Sequence, residues 1–261
     1  MAQALRGRPP GRLETVDDTV LGLLGAALEA AREEPGMLSE DIYRVLRDAI
    51  VNGEIPERSH LSQNPLADAL GVSRTPLRDA LLRLAQDGLI ASVGGRGYQV
   101  VPVEMTEVAE IYDVRHRLVE WALQLVHGRI TPNDLWEARL IHQEMINPEH
   151  LGATRYFDLN RRFHRAFIRS GPNRTLILAI DHLWDLPTSQ RMFVRYNADP
   201  GAVTKMIHEH EEILEAAERG DHDRLTALVL AHISDAAVDT TAFVSRGGHA
   251  QASASGPEAP G

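Results

Sequence analysis

The chain contains no cysteine, so disulfides and thiolate metal ligands are both excluded. It also lacks an apolar run long enough to span a bilayer. The best stretch, Val20 to Leu28, is too short and is interrupted by two glycines. No apolar signal core follows Met1–Leu5. These absences lead us to expect a cytoplasmic protein with no membrane partner. Positive charge is scarce overall: the net charge of −10 argues against non-specific polyanion affinity across the whole surface, though it leaves room for a local basic patch. What remains is a 261-residue chain, 43% hydrophobic and 25% charged, which suits one large or two modest domains with a genuine core.

The segment Leu61–Leu89 organises the rest. It reads as two short helices joined by a tight turn at Gly71. Asn64-Pro65 has the form of an N-cap and first helical residue, followed by Leu66, Ala67 and Leu70 on one apolar side. Ser73 can cap the second helix, and Pro76 fits its first turn. Leu77, Leu81 and Leu84 recur at helical spacing and should face inward. Thr75, Arg78 and Arg83 lie off that stripe, and Arg74 sits at the entry of the second helix. A helix entering a DNA major groove carries such residues there: arginine can bond two guanine acceptors at once, and hydroxyls bond phosphate or base edges. From Gly71 to Gly97 four arginines stand against two acids, the local excess that the global charge hides.

Beyond the helix pair, Ile90–Val93 and Tyr98–Val101 are β-like and bracket Gly94-Gly95-Arg96-Gly97. A hairpin at this position turns the pair into a winged helix-turn-helix, with Arg96 at the wing tip near phosphate or minor groove. Before it, Ser39 opens a helix carrying Ile42, Val45, Leu46, Ala49 and Ile50, closed by Asn52-Gly53. An earlier helix spans Thr19–Arg32 and stops at Pro35-Gly36. The first thirteen residues hold Arg6, Arg8 and Arg12 and no acid, and read as a solvated tail more readily than as a DNA-contacting arm. From Thr106 no strand pattern is visible. One helix is marked by Ile111, Val114, Leu118, Ala122 and Leu125; another starts at Thr131-Pro132; further helical periods run at about Thr154–Arg169, Arg174–Trp184, Val203–Arg219 and Asp221–Thr241. The fold class expected is mainly α, with an N-terminal winged helix-turn-helix and a C-terminal all-α bundle of six or seven helices. The expected organisation is 1–38, an N-terminal extension, partly disordered; 39–103, the DNA-binding domain; 104–243, the all-α effector-binding and metal domain; and 244–261, a disordered Gly/Ser/Ala/Pro-rich tail.

Three histidines sit inside apolar stripes on three separate helices. His164 shares a face with Phe157, Asn160 and Ile168; His210 lies between Met206 and Ile213-Leu214; His232 lies between Leu228-Val229 and Ala236. Each alone reads as an ordinary core histidine, hydrogen-bonded where buried. Together, with Asn160 one turn before His164, they are a candidate divalent-metal cluster inside a bundle. His208 should be exposed, and His116, His142, His150, His182 and His222 read as surface or ordinary polar residues.

The run GVSRTPLRDAL, the DGLI after it and RGYQVVPV closing the wing resemble the GntR family of transcription regulators. IYDVR at Ile111, LNRRFHRAF at Leu159, EHEEILEAAERGD at Glu209 and AHI at Ala231 resemble the effector domain of its FadR-like (FCD) subfamily. The resemblance covers about Ser39 to Thr241. It implies that Arg74, Thr75, Arg78 and the wing at Gly95-Arg96 contact operator DNA. It also implies that Asn160, His164, His210 and His232 occupy the metal-ligand positions, and that Arg115 falls on an arginine that can face the ligand cavity. Asn160 departs from the aspartate common in the family; a neutral amide oxygen is a weaker ligand and leaves the site more cationic, which favours an anionic effector. Asn64 stands where a DNA-contacting arginine is common, and Val119 replaces a common glutamate.

The expectation is a DNA-binding regulator, a repressor, acting as a homodimer on a palindromic double-stranded operator. Its control would come from a small carboxylate on a divalent metal, with zinc the default and nickel or manganese as options. Arg161, Arg162, Arg191 and Arg195 are weaker effector candidates that read more naturally as solvated surface arginines. Two alternatives stay open: the metal itself is the signal, or a three-histidine metal activates water in a hydrolase. No group spaced as a general base supports the hydrolase, so no enzyme is expected.

Overall fold

In the computed structural model the residues described are 15–31, 37–94, 97–147 and 151–245, without the side chains of 241–245. Arg6, Arg8 and Arg12, the Pro35-Gly36 break, Gly95, Arg96, Pro148, His150 and everything after Ser245 lie outside them. The chain divides into two compact units, Met1–Val103 and Glu104–Gly261.

The first unit contains α1 (Asp18–Ala31), α2 (Leu38–Val51), β1 (His60–Leu61), α3 (Gln63–Ala69), α4 (Arg74–Gln86), β2 (Ile90–Ser92) and β3 (Tyr98–Val100). Ile42, Leu46, Ala49 and Ile50 of α2 and Leu77, Leu81 and Leu84 of α4 are buried together with Leu66, Ala67 and Leu70. Full burial of each leucine or isoleucine contributes about 1.5–3 kcal/mol, enough to hold the short α3 against α4. Gly71 takes a positive φ of 61° in the turn between them, where a side chain would be strained. Strands β2 and β3 form the expected hairpin, and β1 adds to the far side of β3, giving an antiparallel sheet of order β1-β3-β2.

Two expected caps are corrected. Helix α3 begins at Gln63 with Ser62 at its N-cap, so Asn64 and Pro65 lie inside its first turn. Helix α2 begins at Leu38 with Met37 at its N-cap, two residues ahead of Ser39. In both cases apolar residues just after the start, Leu66 and Ile42, must reach the core, and that packing sets the phase of the helix over the capping preference. Ser73 does hold the N-cap position of α4, without a side-chain cap bond.

The second unit is wholly helical among its described residues: α5 (Met105–Val126), α6 (Pro132–Met145), α7 (Ala153–Ala166), α8 (Arg174–Asp185), α9 (Pro187–Tyr196), α10 (Pro200–Glu218) and α11 (His222–Ser245). Thr131 and Asp134 form a reciprocal capping box at the start of α6. Helix α9 was not foreseen as a separate period; Pro187 supplies its first turn. Helix α11 runs through Val244 and Ser245, which were expected in the tail. The core is built around Phe163 and Phe167 of the α7 segment, Leu123, Val126, Leu159 and the Ile213-Leu214 pair. The phase of α5 also differs from expectation: Val114 is exposed, while Val108, Ile111, Arg115, Val119 and Ala122 are buried. The apolar stripe of α5 therefore passes through an arginine, which sequence periodicity scores as polar. No helix among the described residues is long and apolar enough to cross a membrane.

Candidate DNA-binding face and effector site

Arg74, Thr75 and Arg78 are exposed on the first turns of α4, where the inward-facing leucines leave them on the opposite side. With Gln63, Asp79 and Leu82 they line one shallow surface hollow. Neither Arg74 nor Arg78 makes an ion pair with another described residue, so both guanidinium groups are available to an external anion. Arg83 behaves differently. It is tied to Glu40 of α2 and lies 4.0 Å over the Tyr43 ring, so its charge braces α4 against α2. Gln63, on the first residue of α3, joins this face without any sequence signal beyond its position. Gly94 and Gly97 flank the wing tip with φ of 54° and 124°.

In the second unit, His164 of α7, His210 of α10 and His232 of α11 converge. Their ring centroids are 5.0 Å (164–210), 4.9 Å (164–232) and 4.9 Å (210–232) apart, and one nitrogen from each lies within 4.8 Å of the others. His210 is 0% exposed, and neither of its ring nitrogens has a hydrogen-bond partner. Burial pushes its pKa well below the usual 6.5, with His232, His164 and His142 adding to the effect. Burial does the same to His164, helped by His232 and Arg115. Neutral imidazoles with free lone pairs are what a divalent metal requires. The buried Oδ1 of Asn160, one turn before His164, is also without a partner. An unsatisfied buried polar atom costs about 1–3 kcal/mol, and an ion taking one His210 nitrogen and the Asn160 oxygen would relieve that cost at both. The residues present therefore fit a bound cation.

The cluster borders a largely enclosed cavity of about 60 Å³, lined by Asn160, His164 and His232 and by Arg115, Trp184 and Met206. At roughly 10–15 Å³ per water-sized group, it admits on the order of four to six such groups. Arg115 is 5% exposed. Its guanidinium donates to Ser189 Oγ at 3.0 Å and to the Leu183 carbonyl at 3.4 Å, and lies 4.1 Å over the Trp184 ring. Trp184 in turn stacks with His164 at 5.7 Å. Burial lowers the Arg115 pKa, with Tyr112 opposing the shift. Among the described residues no carboxylate pairs with this cation.

Four histidines expected to be ordinary divide in the structure. His208 and His182 are exposed, and His222 hydrogen-bonds the Leu123 carbonyl. His142 is instead 2% exposed, with Nε2 3.1 Å from the Ile207 carbonyl oxygen and its ring 6.5 Å from that of His210. Its neighbours Ala138, Ile141 and Met145 are the α6 core stripe, and that adjacency was the available signal. Arg191 is likewise buried, contrary to the surface reading. Arg161, Arg162 and Arg165 are engaged with Asp185, Glu137 and Asp181.

Comparison with known proteins settles the family. Residues 38–100 match the model of the bacterial regulatory proteins of the gntR family, and residues 110–235 match that of the FCD domain. This chain belongs to the GntR family and carries an FCD domain. It is 29% identical over 197 residues to YdhC of Bacillus subtilis, an uncharacterised HTH-type transcriptional regulator, covering 74% of this chain and 86% of that one. It is 24% identical to the Escherichia coli HTH-type transcriptional repressor RspR, covering 76% and 86%. The solved structure of E. coli McbR/YncC shares the fold with a TM-score of 0.60 at 21% identity, covering 80% of this chain and all of that one. As a GntR-family member the protein is a DNA-binding transcription regulator, and its domains and relatives are those of regulators and not of an enzyme.

Proposed function

We propose that this GntR-family regulator binds a palindromic operator as a homodimer and is controlled by a small organic acid held at a metal in the FCD domain. Arg78 would reach a base edge, Arg74 and Thr75 base or phosphate at the entry of α4, and Gly95-Arg96 the flanking backbone. His164, His210 and His232 would hold the ion through neutral nitrogens, with the Asn160 amide oxygen a weak fourth ligand. Zinc suits an all-imidazole set, and nickel or manganese is an alternative. The metal would supply a Lewis-acidic anchor for a carboxylate oxygen.

The observation that carries this reading is the unpaired, buried Arg115 cation beside the histidine cluster in one cavity. A buried cation without a counter-charge is costly unless a ligand supplies one. That favours an anionic effector over the metal as the signal. The cavity bounds it to a small acid of a few carbons, in keeping with a di- or hydroxycarboxylate. Because α4 and the cavity belong to different units, the acid can alter operator affinity only by favouring one arrangement of units or of dimer halves. Repression relieved by the acid is the expected mode, as the relative RspR is a repressor.

Calorimetry with lactate as the probe, on zinc-loaded protein with and without saturating operator duplex, tests the reading. Binding weakened about 5–150-fold by DNA is expected, and loss of lactate binding in Arg115→Met without loss of zinc. Equal lactate affinities in the two titrations would refute the coupling.

A further inference from the structure

Beside the three histidines stands an acid that belongs to none of the ligand positions. Glu209 lies immediately before His210 on α10, so its side chain points away from that of His210 and across to α11. Its Oε2 lies 2.6 Å from His232 Nδ1, and its Oε1 lies 3.6 Å from Lys205 Nζ, one turn back on the same helix. Lys205 is fixed in turn by Asp239 of α11 at 2.7 Å, which also accepts from the Tyr196 hydroxyl of α9 at 3.2 Å. Both carboxylate oxygens of Glu209 are therefore occupied, and the acid is held from two sides.

We propose that Glu209 is a positioning residue for metal binding: it orients His232 and fixes its tautomer without coordinating the ion. The Nδ1–H of His232 donates to Glu209, so the lone pair remains on Nε2, the nitrogen left for the cluster. A carboxylate in this role also raises the basicity of the imidazole as a ligand. Among the described residues His210 and His164 have no comparable carboxylate: both His210 nitrogens are without partners, and the ring contacts of His164 are to Trp184, Phe163 and the two histidines. Of the three imidazoles, His232 is the one whose aim is set by a charged neighbour. The chain from His232 through Glu209 and Lys205 to Asp239 and Tyr196 thus joins three helices behind one ligand.

The inference rests on the metal reading, and one experiment separates their failures. Zinc affinity is measured by competition with a chromophoric chelator for the full-length protein, for Glu209→Gln and Glu209→Ala, and for Glu215→Gln as a control, since Glu215 pairs with Arg219 on its own helix. Cobalt-substituted protein gives the ligand set from its visible spectrum. Glu209→Gln and Glu209→Ala should weaken zinc binding about 10–100-fold, with alanine at the upper end. The control should bind as wild type, the cobalt band positions should stay in place, and metal-free Glu209→Gln should melt within about 2 °C of wild type. Wild-type affinity in both Glu209 variants would overturn the positioning role alone. A shifted cobalt spectrum in Glu209→Gln would make Glu209 a ligand and overturn it as well. Weakened binding with a metal-free melting point lowered by about 10 °C in both variants would reduce the pair to a structural tie. No zinc binding by the wild type would remove the metal reading and this role with it.

Discussion

Acidification should destabilise the metal-free FCD unit through His210 and His164 in a way that can be isolated by substitution. Both imidazoles are held neutral in the fold, with pKa pushed well below the 6.5 of an unfolded histidine, chiefly by burial. Above pH 6.5 neither state binds a proton at these sites and they add no pH dependence. Below it the unfolded chain takes up one proton per histidine and the folded chain does not, so stability falls with falling pH until the folded pKa is reached. One proton per pH unit is worth about 1.36 kcal/mol. Going from about pH 7.5 to about pH 5.5 therefore costs on the order of 1 kcal/mol for each site. His210→Met replaces the ring with an apolar side chain of similar volume and should remove its share of that sensitivity. It also deletes two buried nitrogens without partners, so metal-free His210→Met should equal or exceed the wild type in stability at pH 7.5. All three tryptophans, Trp121, Trp136 and Trp184, lie in this unit, so urea denaturation followed by tryptophan fluorescence in the presence of a chelator reports it selectively. Carboxylates titrate alike in both proteins and cancel in the comparison. Equal losses of stability between the two pH values in wild type and His210→Met would refute the reasoning.

Other outcomes follow from the same geometry. Arg78→Ala should cost about 1–3 kcal/mol of specific operator binding in a mobility-shift assay, whereas Arg96→Ala should weaken binding evenly across sequences and lower the salt slope by about one. Asn160→Asp should tighten zinc binding by restoring a charged oxygen, and His210→Ala should abolish it, both read by elemental analysis after dialysis against a chelator. Gly97→Ala should disrupt the wing, because a Cβ there would sit 2.6 Å from the Leu61 carbonyl oxygen at a φ of 124°; a drop in operator affinity with an intact FCD melting transition is the expected result. Phe163→Ala should destabilise the FCD unit by about 3–5 kcal/mol, since this fully buried ring stacks on His210 at 4.2 Å; unchanged urea stability would contradict its place at the centre of the core.

The winged helix-turn-helix, most of the later helices and the inward faces of α2, α3 and α4 were open to reading in the one-dimensional chain, whereas α9 and the phase of α5 were not. Leucines at helical spacing in α4, a glycine at each turn and the glycine-bracketed wing are local signals, because the periodicity of a helix and the steric freedom of glycine act within a few residues. The convergence of His164, His210 and His232 was legible only as a possibility: each apolar stripe says that its histidine faces inward, and none says that the three face one point. Tertiary packing decided what local rules could not reach. It drew the α5 stripe through Arg115 and left Val114 outside, because the arginine had Ser189, the Leu183 carbonyl and the face of Trp184 waiting for it. It buried His142 and Arg191, which the sequence marks as polar, and it tied Arg83 to Glu40 and laid it over the Tyr43 ring. It also brought Glu209 to His232 across a sequence gap of 23 residues. A polar side chain's fate depends on the partners that distant segments deliver, and only the folded chain brings those partners within bonding distance.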